Sequence, residues 1–337
     1  MNRIELRSDT FTKPTKQMLD YMFKAEVGDD VWEEDETVKE LEKRLANDFA
    51  MEAALFCPSG TMANQIAIKV HTKPGDEVIC DESSHVYQYE GGGIAFNSSC
   101  SVKLLKGDCG RINTSLVNAV LRVENIHFPN TRLVSVENTT NKGGGACYNL
   151  GVLNELSEFC KHKGLAFHMD GARLYNAIVK TNTKPSDYGS ILDSISVCIS
   201  KGLGAPIGSV LLGTKEFIHQ AKRYRKVMGG GMRQVGYLAA GCTYALDHHV
   251  FRLKDDHQRA LQIAECLEVQ DYVIDVLPVE TNIVIFSIDE PLKFVDYMET
   301  KHIFCSAISD SQIRFVTHLQ FDDHMLKTLL SALANYS

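Results

Sequence analysis

The chain has 337 residues, of which 44% are apolar and 23% charged. That balance excludes a mostly disordered chain. Its formal net charge is -8 and it holds no long basic run, which argues against nucleic acid as a partner, because phosphate binding needs a positive footprint.

Ten cysteines are scattered with no C-x-x-C pair, the pattern of reduced thiols in a reducing compartment. The opening, Met1 to Asp9, has no apolar signal core, and no stretch approaches the ~18 apolar residues a membrane helix needs. A cytoplasmic protein without a membrane segment is expected.

Residues 1–15 read as a polar N-terminal arm. Seven short apolar runs follow, at 54–57, 78–81, 102–105, 133–137, 166–170, 196–200 and 209–213. Continuous apolar runs of that length suit strands buried on both faces. Helical patterns at 62–71, 115–123 and 152–162 alternate with them. The expected class is therefore α/β: a mostly parallel seven-stranded sheet with helices on both faces. The last two runs are joined through Gly202, Gly204, Pro206 and Gly208. That link is too short for a helical crossover and allows an antiparallel pair. A long helical stretch over 236–267 leads into a smaller C-terminal α+β domain. The expected division is a large domain over 16–245 and a small one over 246–337.

Four features carry chemistry. Lys201 follows an apolar strand and opens a glycine-rich turn. Ligands of open α/β sheets bind at such strand ends. An amine there can form a Schiff base with an aldehyde cofactor if its site lowers its pKa. Asp170 ends another strand, before Gly171, and stands 31 residues ahead of Lys201. A carboxylate is what a pyridoxal phosphate enzyme needs against the pyridine nitrogen; the bland reading is a helix cap. Pro58-Ser59-Gly60-Thr61 joins a strand to a helix, and free N–H groups at a helix start suit a phosphate monoester. His85 lies just past a strand and can stack on a planar ring or move protons. By contrast, Asp247, His248, His249, Asp255, Asp256 and His257 read as a solvated helix face rather than a metal cluster, and no metal is expected.

These motifs, in this order, resemble the L-threonine aldolases, of the low-specificity and L-allo-threonine type, among the fold-type I pyridoxal phosphate enzymes. The likeness rests on Leu6-Arg7-Ser8-Asp9-Thr10, Val27-Gly28-Asp29-Asp30-Val31, Pro58-Ser59-Gly60-Thr61-Met62 and Val136-Glu137-Asn138-Thr139. It continues in Asp170-Gly171-Ala172-Arg173-Leu174, Ser200-Lys201-Gly202-Leu203-Gly204-Ala205-Pro206 and Gly229-Gly230-Gly231-Met232-Arg233-Gln234. It covers about residues 4 to 260 and thins to Arg314-Phe315-Val316-Thr317-His318.

The resemblance implies retro-aldol cleavage of a β-hydroxy-α-amino acid to glycine and an aldehyde. It implies pyridoxal 5′-phosphate as cofactor, with Lys201 as the Schiff-base lysine, Asp170 on the pyridine nitrogen, His85 on the ring face and Ser59, Gly60 and Thr61 at the phosphate. Ser8, Arg173 and Arg314 would bind the substrate carboxylate. Lys226 and Arg233 would reach a neighbouring subunit's cofactor in a homodimer or homotetramer. Other activities on this scaffold are a β-eliminase, a transaminase or a racemase, and a non-catalytic cofactor-binding module is the further alternative. The chain departs from the family pattern at Trp32, Glu33, Glu36 and Thr140. Trp32 would line the site beside the substrate side chain, where it would bear on substrate choice.

Overall fold

A computed structural model describes residues 3–336. The first two residues of the expected arm and the last of the expected small domain lie outside the described residues.

Thirteen strands are found among the described residues, in chain order β1 (Ile4–Glu5), β2 (Ala53–Cys57), β3 (Glu77–Asp81), β4 (Ser101–Leu105), β5 (Thr131–Glu137), β6 (Ala166–Gly171), β7 (Ser194–Cys198), β8 (Ser209–Gly213), β9 (Asp275–Val276), β10 (Ile283–Ser287), β11 (Ile303–Phe304), β12 (Ser306–Ala307) and β13 (Gln312–Val316). All seven expected runs belong to one sheet, in the order β2-β8-β7-β6-β5-β3-β4. Four adjacent pairs run parallel, β4 with β3, β3 with β5, β5 with β6 and β6 with β7. The hairpin β7–β8 is antiparallel, and so is β8 with β2. β3, β7 and β8 are buried along their whole length, which is why their sequences lack the alternation of a half-exposed strand.

A four-stranded sheet, β12-β13-β10-β9, belongs to the C-terminal part and backs its own apolar cluster around Phe286, Phe294 and Phe315. The N-terminal arm joins it: β1 pairs with β11, and Ile4 and Leu6 are buried in that cluster. Among the described residues no helix is long and apolar enough to cross a membrane.

Two expectations are corrected. The stretch 236–267 forms two helices, Gly236–His248 and Leu253–Leu267. The turn between them docks on the loop after β7, where His249 Nδ1 lies 2.6 Å from the Leu203 carbonyl. The supposed solvated face is half internal. Asp247, His248 and Asp255 are exposed, whereas His249, Asp256 and His257 are buried. Each buried group has a specific partner: Asp256 pairs with Arg252, and His257 Nε2 lies 2.9 Å from Asn176 Oδ1. Buried polar groups persist where they are bonded.

Candidate active site

The parallel strands bring their C-terminal ends to one edge of the sheet. Register places Glu137 opposite Asp170, and Asp170 opposite Ser196. Gly171 is required there: a Cβ on it would stand 2.4 Å from the Ser196 carbonyl oxygen. The strand carrying Asp170 can therefore lie close against β7 only with glycine in that place.

β7 ends at Cys198, two residues earlier than the run at 196–200 suggests, so Lys201 sits on a loop. The loop is fixed from three sides. Thr12 Oγ1 donates to the Lys201 carbonyl at 2.9 Å, Gly204 N–H donates to the same carbonyl at 2.8 Å, and His249 meets Leu203. Gly204 takes φ +81°, which favours glycine. The loop turns Lys201 back so that its Nζ donates to Cys198 Sγ at 3.4 Å.

Cys198 also adjoins the phosphate-type turn. Ser59 caps the helix Gly60–His71, its Oγ accepting from Met62 N–H at 3.1 Å. A Cβ on Gly60 would meet only Cys198 Sγ, at 3.9 Å. No steric need of the protein thus explains this glycine; its bare backbone leaves room at a helix start.

A cavity of about 470 Å³ opens over Lys201, lined by Ser8, Thr10, His85, Tyr89, Glu137, Arg173 and Arg314 among others. Asp170 lies beside His85 of this cavity, only 3% exposed, and its Oδ2 has no hydrogen-bond partner. A buried, unbonded carboxylate oxygen calls for a donor from a ligand. Burial lifts Asp170 above the usual carboxylate range against the pull of His85 and Lys201. Glu137 receives His85 N–H and Asn141 N–H, each at 2.7 Å, yet burial, with Asp170 beside it, raises it to about 7. Burial works to lower His85, but the Glu90 bond and the carboxylates of Asp170 and Glu137 outweigh it, leaving its pKa above the ordinary value.

Lys201 departs from expectation. Burial acts to lower its pKa, and Arg173 adds to that. Cys198, Asp170 and Asp9 outweigh both, so the protein by itself holds the amine above its ordinary value.

The arginines differ in use. Arg173 donates from Nε and Nη2 to Asp9 at 2.8 and 2.7 Å, so one edge of its fork is taken and its Nη1 end is not. Burial works to raise Asp9, but Arg173 overcomes it and holds the carboxyl at about 2. Arg314 donates to Asn141 Oδ1 at 2.8 Å and to the Arg7 carbonyl at 2.9 Å, and its buried Nε has no partner. Ser8 Oγ accepts from Thr10 N–H at 3.2 Å.

Lys201, Asp170, His85, Arg173, Arg314 and Ser8 therefore meet, with Ser59, Gly60 and Thr61 adjoining through Cys198. Trp32, Lys226 and Arg233 do not join them within one chain. Trp32 is 73% exposed. Lys226 lines a separate cleft of about 670 Å³ with Asp30, Glu33 and Lys222. Arg233 pairs with Asp29 at 2.9 Å. Glu90, Asp9 and Cys198 are site residues that sequence reasoning missed. Asp9 and Cys198 lie inside quoted or neighbouring motifs, but Glu90 carries no signal beyond its place five residues after His85. Ligand atoms of His85, Glu90 and Asp170 come within 4.8 Å of one another. The Glu90 oxygens are already engaged by Asn64, Gln65 and His85, so this trio is a hydrogen-bonded group rather than an open ligand set.

An α/β sheet whose strand ends gather a lysine, a buried carboxylate, a helix N-terminus and two arginines has the make-up of an enzyme site. Comparison narrows that class. The profile of the family described as beta-eliminating lyase matches residues 5–291, and the chain belongs to this family. It is 38% identical to the low specificity L-threonine aldolase of Escherichia coli strain K12 over 96% of each chain. It is 38% identical to low-specificity L-threonine aldolase 1 of Arabidopsis thaliana, over 95% of this chain and 92% of that one. In fold it matches the Leishmania major threonine aldolase with a TM-score of 0.86 at 18% identity, covering 98% of both chains.

Proposed function

We propose that this chain is an aldehyde-lyase that uses pyridoxal 5′-phosphate to cleave L-threonine or L-allo-threonine into glycine and acetaldehyde. The carrying observation is that the cavity over Lys201 is flanked by the unbonded Asp170 Oδ2 beside His85 and, through Cys198, by the helix start at Gly60. The full-length relatives named as threonine aldolases support the reaction.

The residues fit the cofactor. Lys201 would hold its aldehyde carbon, Asp170 its ring nitrogen, and Ser59, Gly60 and Thr61 its phosphate. When bound, the cofactor supplies an electron sink for the pair released from the Cα–Cβ bond. The chain's own residues do the rest. Arg314, the free end of Arg173 and Ser8 hold the substrate carboxylate, since a forked guanidinium matches a planar carboxylate. That grip orients the bond to be broken. His85 takes the β-hydroxyl proton as Cα–Cβ breaks, the β-carbon leaves as the aldehyde, and Cα gains a proton to give glycine.

The fold divides functionally into the arm 1–15, a large domain 16–245 and a small domain 246–337, with the cavity between Lys201 and the Arg314 strand. Trp32, Lys226 and Arg233 face a second copy's site in a homodimer or homotetramer, Trp32 beside the substrate side chain. The protein acts on a free amino acid in the cytoplasm.

Purified protein mixed with L-threonine or L-allo-threonine should release glycine and acetaldehyde in equal amounts. 2-Oxobutanoate and ammonia alone would replace the aldolase by an eliminase. The cofactor assignment is read separately: Lys201→Ala should lose the absorption band at the visible edge, and an unchanged spectrum would refute it.

A further inference from the structure

Behind His85 a chain of polar groups runs between the sheet and the helix Gly60–His71. His85 Nδ1 lies 2.9 Å from Glu90 Oε1. Glu90 has a fully buried side chain and also receives Asn64 Nδ2 at 2.9 Å and Gln65 Nε2 at 2.6 Å. Asn64 Oδ1 accepts from Ser196 Oγ at 2.5 Å and meets His168 Nε2 at 3.2 Å. His168 Nδ1 meets Ser194 Oγ at 2.9 Å, and Ser194 Oγ meets His71 Nε2 at 2.8 Å.

The direction of this chain follows from protonation. Burial holds His168 at about 3 and His71 at about 4, so both rings are neutral near pH 7, each with one donor and one acceptor nitrogen. Asn64 gives its amide hydrogen to Glu90, so its oxygen must accept, and His168 Nε2 must donate. His168 Nδ1 must then accept from Ser194, whose oxygen accepts from His71. Every donor points toward Glu90. Both Glu90 oxygens receive amide donors, Oε1 from Asn64 and Oε2 from Gln65, an environment that asks for an acceptor and so for a donating His85 Nδ1.

We infer that Glu90 is a positioning residue for the reaction: it holds His85 with Nδ1–H donated inward, leaving Nε2 as the proton acceptor. The inference rests on the aldolase reading for its effect on turnover and on this network alone for the tautomer. The charged and titratable groups around His85 are Glu90 beyond its own helix, Glu137 at the end of β5, Asp170 at the end of β6 and Lys201 after β7. Tyr89, Lys142, Arg173 and Arg314 stand around the same cavity.

Nitrogen-15 spectra of the histidine-labelled apoprotein, with His85→Gln for assignment, should show His85 protonated at Nδ1. A neutral ring protonated only at Nε2 in the wild type would overturn the inference whatever any variant does. In the holoenzyme, Glu90→Gln should lower kcat about tenfold or more at nearly constant KM, the kind of loss expected when a proton-transfer group is disoriented. The acidic limb of its pH profile should move to lower pH, because a negative partner is lost. Glu90→Asp keeps the charge, so its limb should stay in place while kcat falls. A merely structural Glu90 would leave both the limb and the tautomer of the folded Gln variant unmoved. Failure of the wild type to make glycine from threonine would sink the aldolase reading, and the tautomer would still judge this one.

Discussion

Asp9 of the N-terminal arm and Arg173 after β6 face each other through two parallel hydrogen bonds of 2.7 and 2.8 Å, both groups buried. Asp9 Oδ2 also receives Asn282 Nδ2 at 3.3 Å, so one carboxylate joins the arm, the large sheet and the C-terminal part. The pair sits directly behind the cavity and fixes which edge of Arg173 a substrate can meet.

Removing one partner of a buried ion pair leaves the other charge uncompensated, at a cost of about 3–5 kcal/mol. Asp9→Asn should therefore lower the urea midpoint at pH 7 and raise KM for threonine, as Arg173 loses its anchor. The pH dependence has a definite sign. Asp9 stands at about 2 in the folded protein against 3.8 ordinarily, so its stabilisation is complete above the ordinary value. It fades as pH falls through 3.8 toward 2. The gap between wild type and variant should be constant from pH 7 to 5 and begin to close below about pH 4. A gap that closes already at pH 6 would show that Asp9 is not the group responsible.

Lys201 yields a kinetic prediction. Only a neutral amine attacks an aldehyde, and the protein holds this amine above its ordinary value of 10.5. The rate at which apoprotein takes up pyridoxal phosphate should therefore climb about tenfold per pH unit between pH 7 and 9, since each unit multiplies the neutral fraction by that factor. Stopped-flow absorbance at the visible edge reads it. A plateau below pH 9 would mean that burial wins over Cys198, Asp170 and Asp9.

Much of this was legible in the residues, for local reasons. Strands of a central sheet show as short, largely apolar runs, and all seven were readable as such, five with parallel partners and β2 and β8 without. Lys201, Asp170 and Gly60 stand at strand ends or helix starts, where glycine, proline and capping residues mark the boundary. Partnerships across the chain were not legible. Asp9 meets Arg173 from 164 residues away, and nothing local to either announces it. The break at 249–252 carries no glycine or proline; tertiary contact of His249 with Leu203 sets it. Asp256 and His257 look solvated by polarity, because patterning cannot show that Arg252 and Asn176 wait for them inside. Trp32, Lys226 and Arg233, singled out by resemblance, do not line the cavity over Lys201 in this chain.

Arg314 bears on how the substrate is gripped. Its two protein acceptors, Asn141 Oδ1 and the Arg7 carbonyl, are neutral, and its buried Nε has none. Burial, with Arg173 nearby, lowers its pKa below the ordinary arginine value, so its protein surroundings disfavour its charge. An incoming carboxylate relieves that cost, which makes Arg314 a better substrate anchor than the pre-paired Arg173. Arg314→Lys keeps a positive charge but loses the fork. Charge-assisted bonds to one carboxylate are worth about 1.5–3 kcal/mol, so KM for L-threonine should rise roughly tenfold to a hundredfold, with kcat less affected. The cofactor absorption band should remain, because among the described residues no hydrogen bond joins Arg314 to Gly60 or Asp170. If KM stays within about twofold of wild type, the carboxylate lies elsewhere, and Arg173 with Ser8 must carry it alone.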